Sequence, residues 1–191
     1  MRQILFTIIC ALALYPSYHF NVIALSYNVV RPLFLEDGGD NCLQDLKDKN
    51  INFERIGQLR NRQCLIKNAV RIDSFPQTKL SGPITVSCST AKTLQSFFKE
   101  IQADTITHLG SYNCRSIRNN RFISEHGYGT ALDISHINNA SVEIHWGSDT
   151  EEGRVLNKSE KVARTMFSNV VTPESNASHY DHIHLDQGLG L

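Results

Sequence analysis

Four widely spaced cysteines behind an apolar N-terminal segment restrict the fold of this chain more than any other feature. They are Cys42, Cys64, Cys88 and Cys114, and each lies more than 20 residues from the next. An even number of cysteines in an exported chain indicates two disulfides, whereas a zinc ribbon needs cysteines separated by only two residues. Of the three possible pairings we favour Cys42–Cys64 with Cys88–Cys114, and four reduced thiols are the alternative.

The first residues have the composition of a secretory signal. A basic residue, Arg2, precedes the apolar run Ile4–Leu14, which ends at Tyr15. A membrane-spanning helix needs about 20 apolar residues, so this run is too short to cross a bilayer. We therefore predict a signal peptide over residues 1–24, cleaved after Ala24, with an uncleaved N-terminal anchor as the alternative. The rest of the chain would be exported to the periplasm or cell envelope, without membrane contact beyond the leader.

Length and charge limit the remaining possibilities. The chain has 191 residues, 41% of them hydrophobic, and its 19 Lys and Arg balance its 19 Asp and Glu. That balance argues against a general nucleic-acid-binding protein, and the apolar fraction argues against a mostly disordered chain. After the leader we predict a linker over residues 25–41 and one domain over residues 42–191. Its N-terminal part, residues 42–80, contains two of the cysteines.

Apolar periodicity predicts an α+β fold. Ala91, Leu94, Phe98 and Ile101 recur at helical spacing after a capping residue, Ser89, which predicts the clearest helix. Helices and short strands alternate irregularly, which favours a small antiparallel sheet that carries the metal ligands and is flanked by helices. The other predicted helices are Leu43–Asp48 and Ser159–Asn169, and the predicted strands are Arg71–Asp73, Ile84–Cys88, Thr105–Tyr112, Ala131–Ile137, Ser141–His145 and His182–Asp186.

Histidines and one aspartate form the candidate chemical site. His179, His182 and His184 fall within six positions, and His126 lies upstream in a glycine-flanked loop. Asp133 lies in an apolar strand, where a carboxylate is costly unless a cation or hydrogen-bond donors satisfy it. A catalytic zinc takes three protein ligands and leaves a fourth position for water. We therefore predict that His126, Asp133 and His184 hold one Zn²⁺, the alternative for each histidine being an ordinary surface or hydrogen-bonded role.

The spacing of these residues resembles that of a known peptidase superfamily. The segment Ser124–Asp133 reads S-x-H-x-x-G-x-A-x-D, and His182–His184 reads H-x-H. Both motifs are those of the zinc peptidases that include D-Ala-D-Ala carboxypeptidases and lysostaphin (the LAS superfamily). More closely, residues 42–191 resemble the bacterial extensin-like C-terminal domain family. The stretches shared with that family are Gly110–Arg115, Ser124–Gly127, Ala131–Ile134 and His179–Asp186, and Cys42 and Cys64 also sit where it carries cysteines.

The resemblance implies a role for each residue that matches the motifs. His126, Asp133 and His184 would be the metal ligands. In the carboxypeptidase branch an acidic residue at the position of Asp181 is the general base, whereas in the lysostaphin branch the first histidine of H-x-H, here His182, assists catalysis. This chain carries both residues. Asp181 lies three residues before His184, the spacing of the base in the carboxypeptidase branch, and we therefore rank Asp181 slightly ahead of His182 as the general base.

Four further residues are candidates for the same site. Arg115 would stabilise a developing oxyanion or form a structural salt bridge. Ser124 would hydrogen-bond substrate or hold the His126 loop, and Tyr112 and Tyr128 would line the cleft or pack the interior. The resemblance thus implies an exported zinc peptidase that hydrolyses peptidoglycan stem or cross-bridge peptides. The alternative is a non-catalytic envelope module that retains zinc for binding or stability.

Overall fold

The computed structural model describes residues 22–35, 39–117 and 120–188, so residues 1–21 of the predicted signal peptide lie outside the described residues. The helices are residues 22–30 (α1), Gly39–Asp48 (α2), Cys88–Glu100 (α3), Val142–His145 (α4) and Glu151–Met166 (α5). The strands are Phe53–Asn61 (β1), Cys64–Phe75 (β2), Thr78–Ser87 (β3), Thr105–Gly110 (β4), Ala131–Ile137 (β5), Ala140–Ser141 (β6), Asn169–Val171 (β7) and Ile183–Asp186 (β8). Within the described ranges, no helix has the length and apolarity needed to cross a bilayer.

The strands of the described residues form one eight-stranded sheet in the order β1-β2-β3-β4-β5-β8-β7, with β6 beside β5. All pairings are antiparallel except that of β3 with β4. The predicted α+β fold is therefore confirmed, although the sheet is larger than expected. Most of the difference comes from the long hairpins β1–β2–β3, of which the sequence predicted only Arg71–Asp73 and Ile84–Cys88.

Strand alternation separates the hydrophobic core from the candidate site. Leu132 on β5 and Leu185 on β8 are buried in the main core, which also contains the apolar faces of α3 and α5. Asp133 and His184 are their immediate neighbours along the chain. Because successive side chains of a strand point to opposite faces, these two polar residues lie on the face away from α3 and α5.

Two local predictions are wrong: the capping residue of α3 and the strand at Ser141–His145. Helix α3 begins at Cys88, because the side chain of Ser87, not of Ser89, accepts a hydrogen bond from the backbone N–H of Thr90 at 3.1 Å. The predicted strand Ser141–His145 is a helical turn beyond Ser141, and Nδ1 of His145 accepts a hydrogen bond from the N–H of Ser141 at 3.0 Å. Alternation of apolar and polar residues over four positions does not distinguish one helical turn from a strand.

The two disulfides confirm the predicted number of bridges but not the favoured pairing. Cys42 on α2 is bonded to Cys88 at the start of α3, and Cys64 at the start of β2 is bonded to Cys114 after β4. The Cys42–Cys64 and Cys88–Cys114 pairing was therefore wrong. Pairing of neighbours along the chain closes the shorter loops, but the sheet brings more distant residues together.

The segment predicted as a linker contains regular structure. Residues 22–30 are helical and continue into a 3-10 turn at Arg31–Phe34. The ring of Tyr27 packs edge-on against that of Phe122, with centroids 5.4 Å apart, and Arg31 is buried. Cleavage after Ala24 and a domain boundary at residue 42 remain predictions.

Gly129 permits close packing beneath the candidate site, and we expect alanine there to be strongly destabilising. The residue has a φ of 65°, and a Cβ would lie 2.5 Å from Cδ1 of Ile66 and 3.0 Å from the backbone nitrogen of Ser87. Left-handed strain and overpacking together should lower the free energy of unfolding by about 3 kcal/mol, measured by urea denaturation. Gly57→Ala is the matched control, since Gly57 has a φ of 80° but no described atom within 4 Å of its Cβ position. Equal losses in the two variants would show that the contact with Ile66 is unimportant.

Candidate metal centre

The candidate ligands are supplied by a turn and two paired strands. His126 lies in the 3-10 turn Glu125–Tyr128, directly before β5. Asp133 on β5 is the cross-strand partner of His184 on β8. The antiparallel pairing therefore sets two ligands side by side, and the turn brings the third over the same face of the sheet.

The donor atoms of these three residues converge. Nε2 of His126 lies 3.1 Å from Oδ2 of Asp133 and 3.2 Å from Nδ1 of His184. Nδ1 of His184 lies 2.7 Å from Oδ1 of Asp133. One ligand atom from each residue lies within 4.8 Å of the other two. The structure thus brings together the three residues that the sequence predicted as ligands.

The second ring nitrogen of each histidine is held by an acceptor outside the cluster. Nδ1–H of His126 donates to the backbone carbonyl of Ser111. Nε2–H of His184 donates to Oδ2 of Asp186 at 2.9 Å. The other carboxylate oxygen of Asp186 accepts hydrogen bonds from the Asn169 side chain at 2.6 Å and from the N–H of Gly188 at 2.7 Å. These bonds fix both ring orientations and direct the remaining nitrogen lone pairs inward.

For both Asp133 and His184, hydrogen bonding outweighs the effect of burial on the pKa. Burial by itself would raise the pKa of Asp133, but hydrogen bonds from His126 and His184 outweigh it and hold that pKa well below its usual range. Burial opposes a charge on His184, yet hydrogen bonds to Asp133 and Asp186 raise its pKa to about 9. The pocket therefore stabilises a positive charge between these groups.

This donor set fits a divalent metal ion. With their outer nitrogens bonded to Ser111 and Asp186, the inner nitrogens of His126 and His184 face each other and the carboxylate of Asp133. The charge that a proton on His184 supplies between these atoms could be supplied instead by a divalent ion, and two imidazoles with one carboxylate suit zinc. Among the described histidines, cysteines and acidic residues, only these three form such a group. A fourth coordination position would therefore remain for solvent or substrate.

The centre opens into a cleft of about 1240 Å³. Nε2 of His182 lies 3.8 Å from Oδ1 of Asp133, and Nδ1 of His182 lies 2.7 Å from Oδ1 of Asp181. The ring of His179 lies 4.8 Å from that of His182. Two histidines, His179 and His182, and the carboxylate of Asp181 therefore lie beside the candidate ligands.

Comparison with known families places the whole site in one recognised domain. The model for the extensin-like protein C-terminus matches residues 40–189. The chain belongs to the extensin-like C-terminal family. No curated protein and no solved structure matches the chain. The matched range includes the three candidate ligands, but it leaves out α1 and the turn that follows it.

Of the other predicted site residues in the extensin-like domain, Arg115 and Ser124 line the cleft, whereas Tyr112 and Tyr128 do not. Arg115 and Ser124 line the cleft, Arg115 on its exposed wall and Ser124 largely buried. Tyr128 is fully buried beside Cys64, where burial raises the pKa of its hydroxyl to about 12. The hydroxyl of Tyr112 is also buried and is not part of the cleft lining. Tyr128 therefore lies in the packed interior, whereas Tyr112 is half-buried with its hydroxyl enclosed.

Sequence reasoning missed the residues that hold the turn of His126. Glu125 accepts hydrogen bonds from Tyr27, Arg31 and Thr130. Its position next to a predicted ligand could have drawn attention to Glu125. Tyr27 and Arg31 lie in the presumed linker of the extensin-like chain, and their distance of more than 90 residues from Glu125 leaves no local signal.

Proposed function

We propose that this chain is an exported zinc-dependent peptidase that hydrolyses peptide bonds of peptidoglycan stem or cross-bridge peptides. The observation that carries the proposal is the convergence of His126, Asp133 and His184 in an open cleft. The S-x-H-x-x-G-x-A-x-D and H-x-H motifs support a relationship to the LAS peptidases. Two disulfides support export, because disulfides persist in oxidising compartments.

A zinc ion bound to these residues would polarise the scissile carbonyl and lower the pKa of a coordinated water. The chain itself must then supply a group that accepts a proton and returns it to the leaving amine. His182 is the better candidate, since its Nε2 faces Asp133 at 3.8 Å and its Nδ1 is hydrogen-bonded to Asp181 at 2.7 Å. Asp181 would orient the ring of His182. His182 is then the general base, whereas the family spacing ranked Asp181 first for that role.

Two polar residues of the cleft would bind the peptide near the centre. Arg115 carries a permanent charge and lines the cleft, which suits an oxyanion or a substrate carboxylate. Ser124 lines the same wall and precedes the turn of His126. Its hydroxyl makes no capping hydrogen bond to that turn, which favours substrate contact for this residue.

Two variants separate the base from its orienting partner. We expect His182→Ala to keep zinc and to lose turnover by about 100- to 10,000-fold, the usual contribution of a general base. Asp181→Asn should keep zinc and lose less, because the ring of His182 keeps a hydrogen-bond acceptor. Zinc would be measured by elemental analysis, and turnover by chromatography of peptides released from purified muropeptides.

The matched control is His136→Ala, a histidine on β5 outside the cleft lining, which should leave both readouts unchanged. A larger loss in Asp181→Asn than in His182→Ala would make Asp181 the base. Tight binding of the wild-type protein to purified sacculi without any released peptide would instead support the non-catalytic envelope module.

A further inference from the structure

The segment upstream of the extensin-like domain is buried against the metal-ligand loop. Residues 22–35 lie before the matched range, yet the side chain of Arg31 is only 3% exposed, and that of its partner Glu125 is 11% exposed. Burial of two charges is costly unless they are paired with good geometry. The contacts of Arg31 therefore indicate what this segment is built to hold.

Arg31 connects the two stretches of chain that carry the histidine ligands. Its Nε and Nη2 donate to the two carboxylate oxygens of Glu125 at 3.0 Å and 2.7 Å, and Glu125 directly precedes His126. Nη2 also donates to the backbone carbonyl of Gln187 at 3.2 Å, three residues after His184. One guanidinium thus fixes the turn of His126 relative to the end of β8.

A residue of α1, three positions before Arg31, holds the approach to this turn. The side-chain amide of Asn28 donates to the carbonyl of Arg121 at 2.7 Å, and its oxygen accepts a hydrogen bond from the N–H of Ile123 at 2.8 Å. Ile123 leads directly into Ser124 and the turn. Tyr27 adds a hydrogen bond from its hydroxyl to Oε1 of Glu125 at 2.9 Å.

The domain anchors the turn mainly through its backbone. The N–H of Ser124 donates to the carbonyl of Arg115 at 3.0 Å, although the Ser124 side chain makes no capping hydrogen bond. The carboxylate of Glu125 accepts a hydrogen bond from Thr130 at 2.6 Å, and the N–H of Gln187 donates to the carbonyl of Thr130 at 3.1 Å. Arg31 and Asn28 add side-chain contacts to Gln187 and Arg121 from outside the domain.

We propose that Arg31 and Asn28 are positioning residues of the metal centre. They hold the turn so that Nε2 of His126 meets Asp133 and His184, although α1 and the 3-10 turn that carry them lie outside the family domain. The proposal rests on the metal site of the proposed function. Groups that orient metal ligands from outside the ligand set contribute about 10- to 100-fold to metal affinity.

The test compares metal binding by full-length Arg31→Met and Asn28→Ala variants with that of the wild type. The Zn²⁺ dissociation constant is measured by competition with a chromophoric chelator, and visible spectra are recorded after loading with Co²⁺ alone. We expect each variant to bind zinc about 10- to 100-fold more weakly and to shift the Co²⁺ absorption bands, which report ligand geometry. A purely structural contribution would lower thermal stability without moving these bands.

The matched control is Arg164→Met, which removes an Arg–Glu pair with Glu160 on α5 and should leave zinc affinity unchanged. Tyr27→Phe removes one hydrogen bond to Glu125 while keeping the ring on Phe122, so it should fold and show a smaller loss of affinity even if Arg31→Met does not fold. Wild-type affinity and spectra in Asn28→Ala and Tyr27→Phe would overturn the positioning role alone. Absence of zinc binding by the wild type would overturn the proposed metal centre as well.

Discussion

Asp133→Asn is expected to abolish metal binding and, with it, peptide hydrolysis. The carboxylate of Asp133 contacts both histidine ligands, at 3.1 Å from Nε2 of His126 and 2.7 Å from Nδ1 of His184. Asparagine keeps the shape of the side chain but removes the negative charge that offsets the ion. Since even groups outside the ligand set contribute about 10- to 100-fold, loss of a ligand should cost more than about 100-fold in zinc affinity.

The measurement is zinc content after dialysis, together with release of peptides from muropeptides. Asp73→Asn is the matched control, because Asp73 is also an aspartate within a strand but is exposed on β2; it should retain wild-type zinc and activity. Retained hydrolysis by Asp133→Asn would contradict the ligand assignment and the proposed mechanism together. A circular dichroism spectrum like that of the wild type would show that the loss is local.

The two disulfides should contribute similarly to stability but differently to the metal centre. The bridges Cys42–Cys88 and Cys64–Cys114 span 46 and 50 residues, so loop-closure entropy predicts a loss of about 4 kcal/mol when either is replaced by two serines. Cys64 also packs beneath the turn of His126, since a Cβ at Gly127 would lie 2.8 Å from its sulfur. We therefore expect only the Cys64→Ser/Cys114→Ser variant to lose zinc affinity in the folded state.

Urea denaturation gives the free energy of unfolding, and chelator competition below the transition gives zinc affinity of the folded protein. The Cys42→Ser/Cys88→Ser variant is the matched control, because its bridge joins α2 to α3 within the main core. Equal zinc affinity in the two double variants would show that the Cys64–Cys114 bridge stabilises the fold without shaping the centre.

The sequence predicted which three residues converge better than it predicted the residues that hold them in place. Asp133 stood out because a charged residue interrupts an apolar strand, and the H-x-H spacing put His184 on the same face as His182. These are local patterns, because residues two apart in a strand point to the same face of the sheet. The relative placement of β5 and β8 could not be read from either strand alone, because it depends on pairing between distant segments.

The errors share the same physical origin. Cys64 pairs with Cys114 because the fold brings the start of β2 next to the segment after β4. The spacing of the cysteines along the chain does not indicate this contact. Arg31 looked like a linker residue, although its guanidinium is buried against Glu125. The predicted strand at Ser141–His145 failed because one helical turn is too short to show a helical period.

The direct pairing of Asp133 with His184 has a consequence for when the proposed ion would bind. These two residues are 51 positions apart in the chain, and a shift of one residue between β5 and β8 would turn one of them toward the opposite face. A chain that has not completed this pairing therefore lacks the donor set. Under the proposed metal centre, loading would follow this pairing, and an exported polypeptide would take its metal from the compartment into which it is delivered rather than from the one in which it is synthesised.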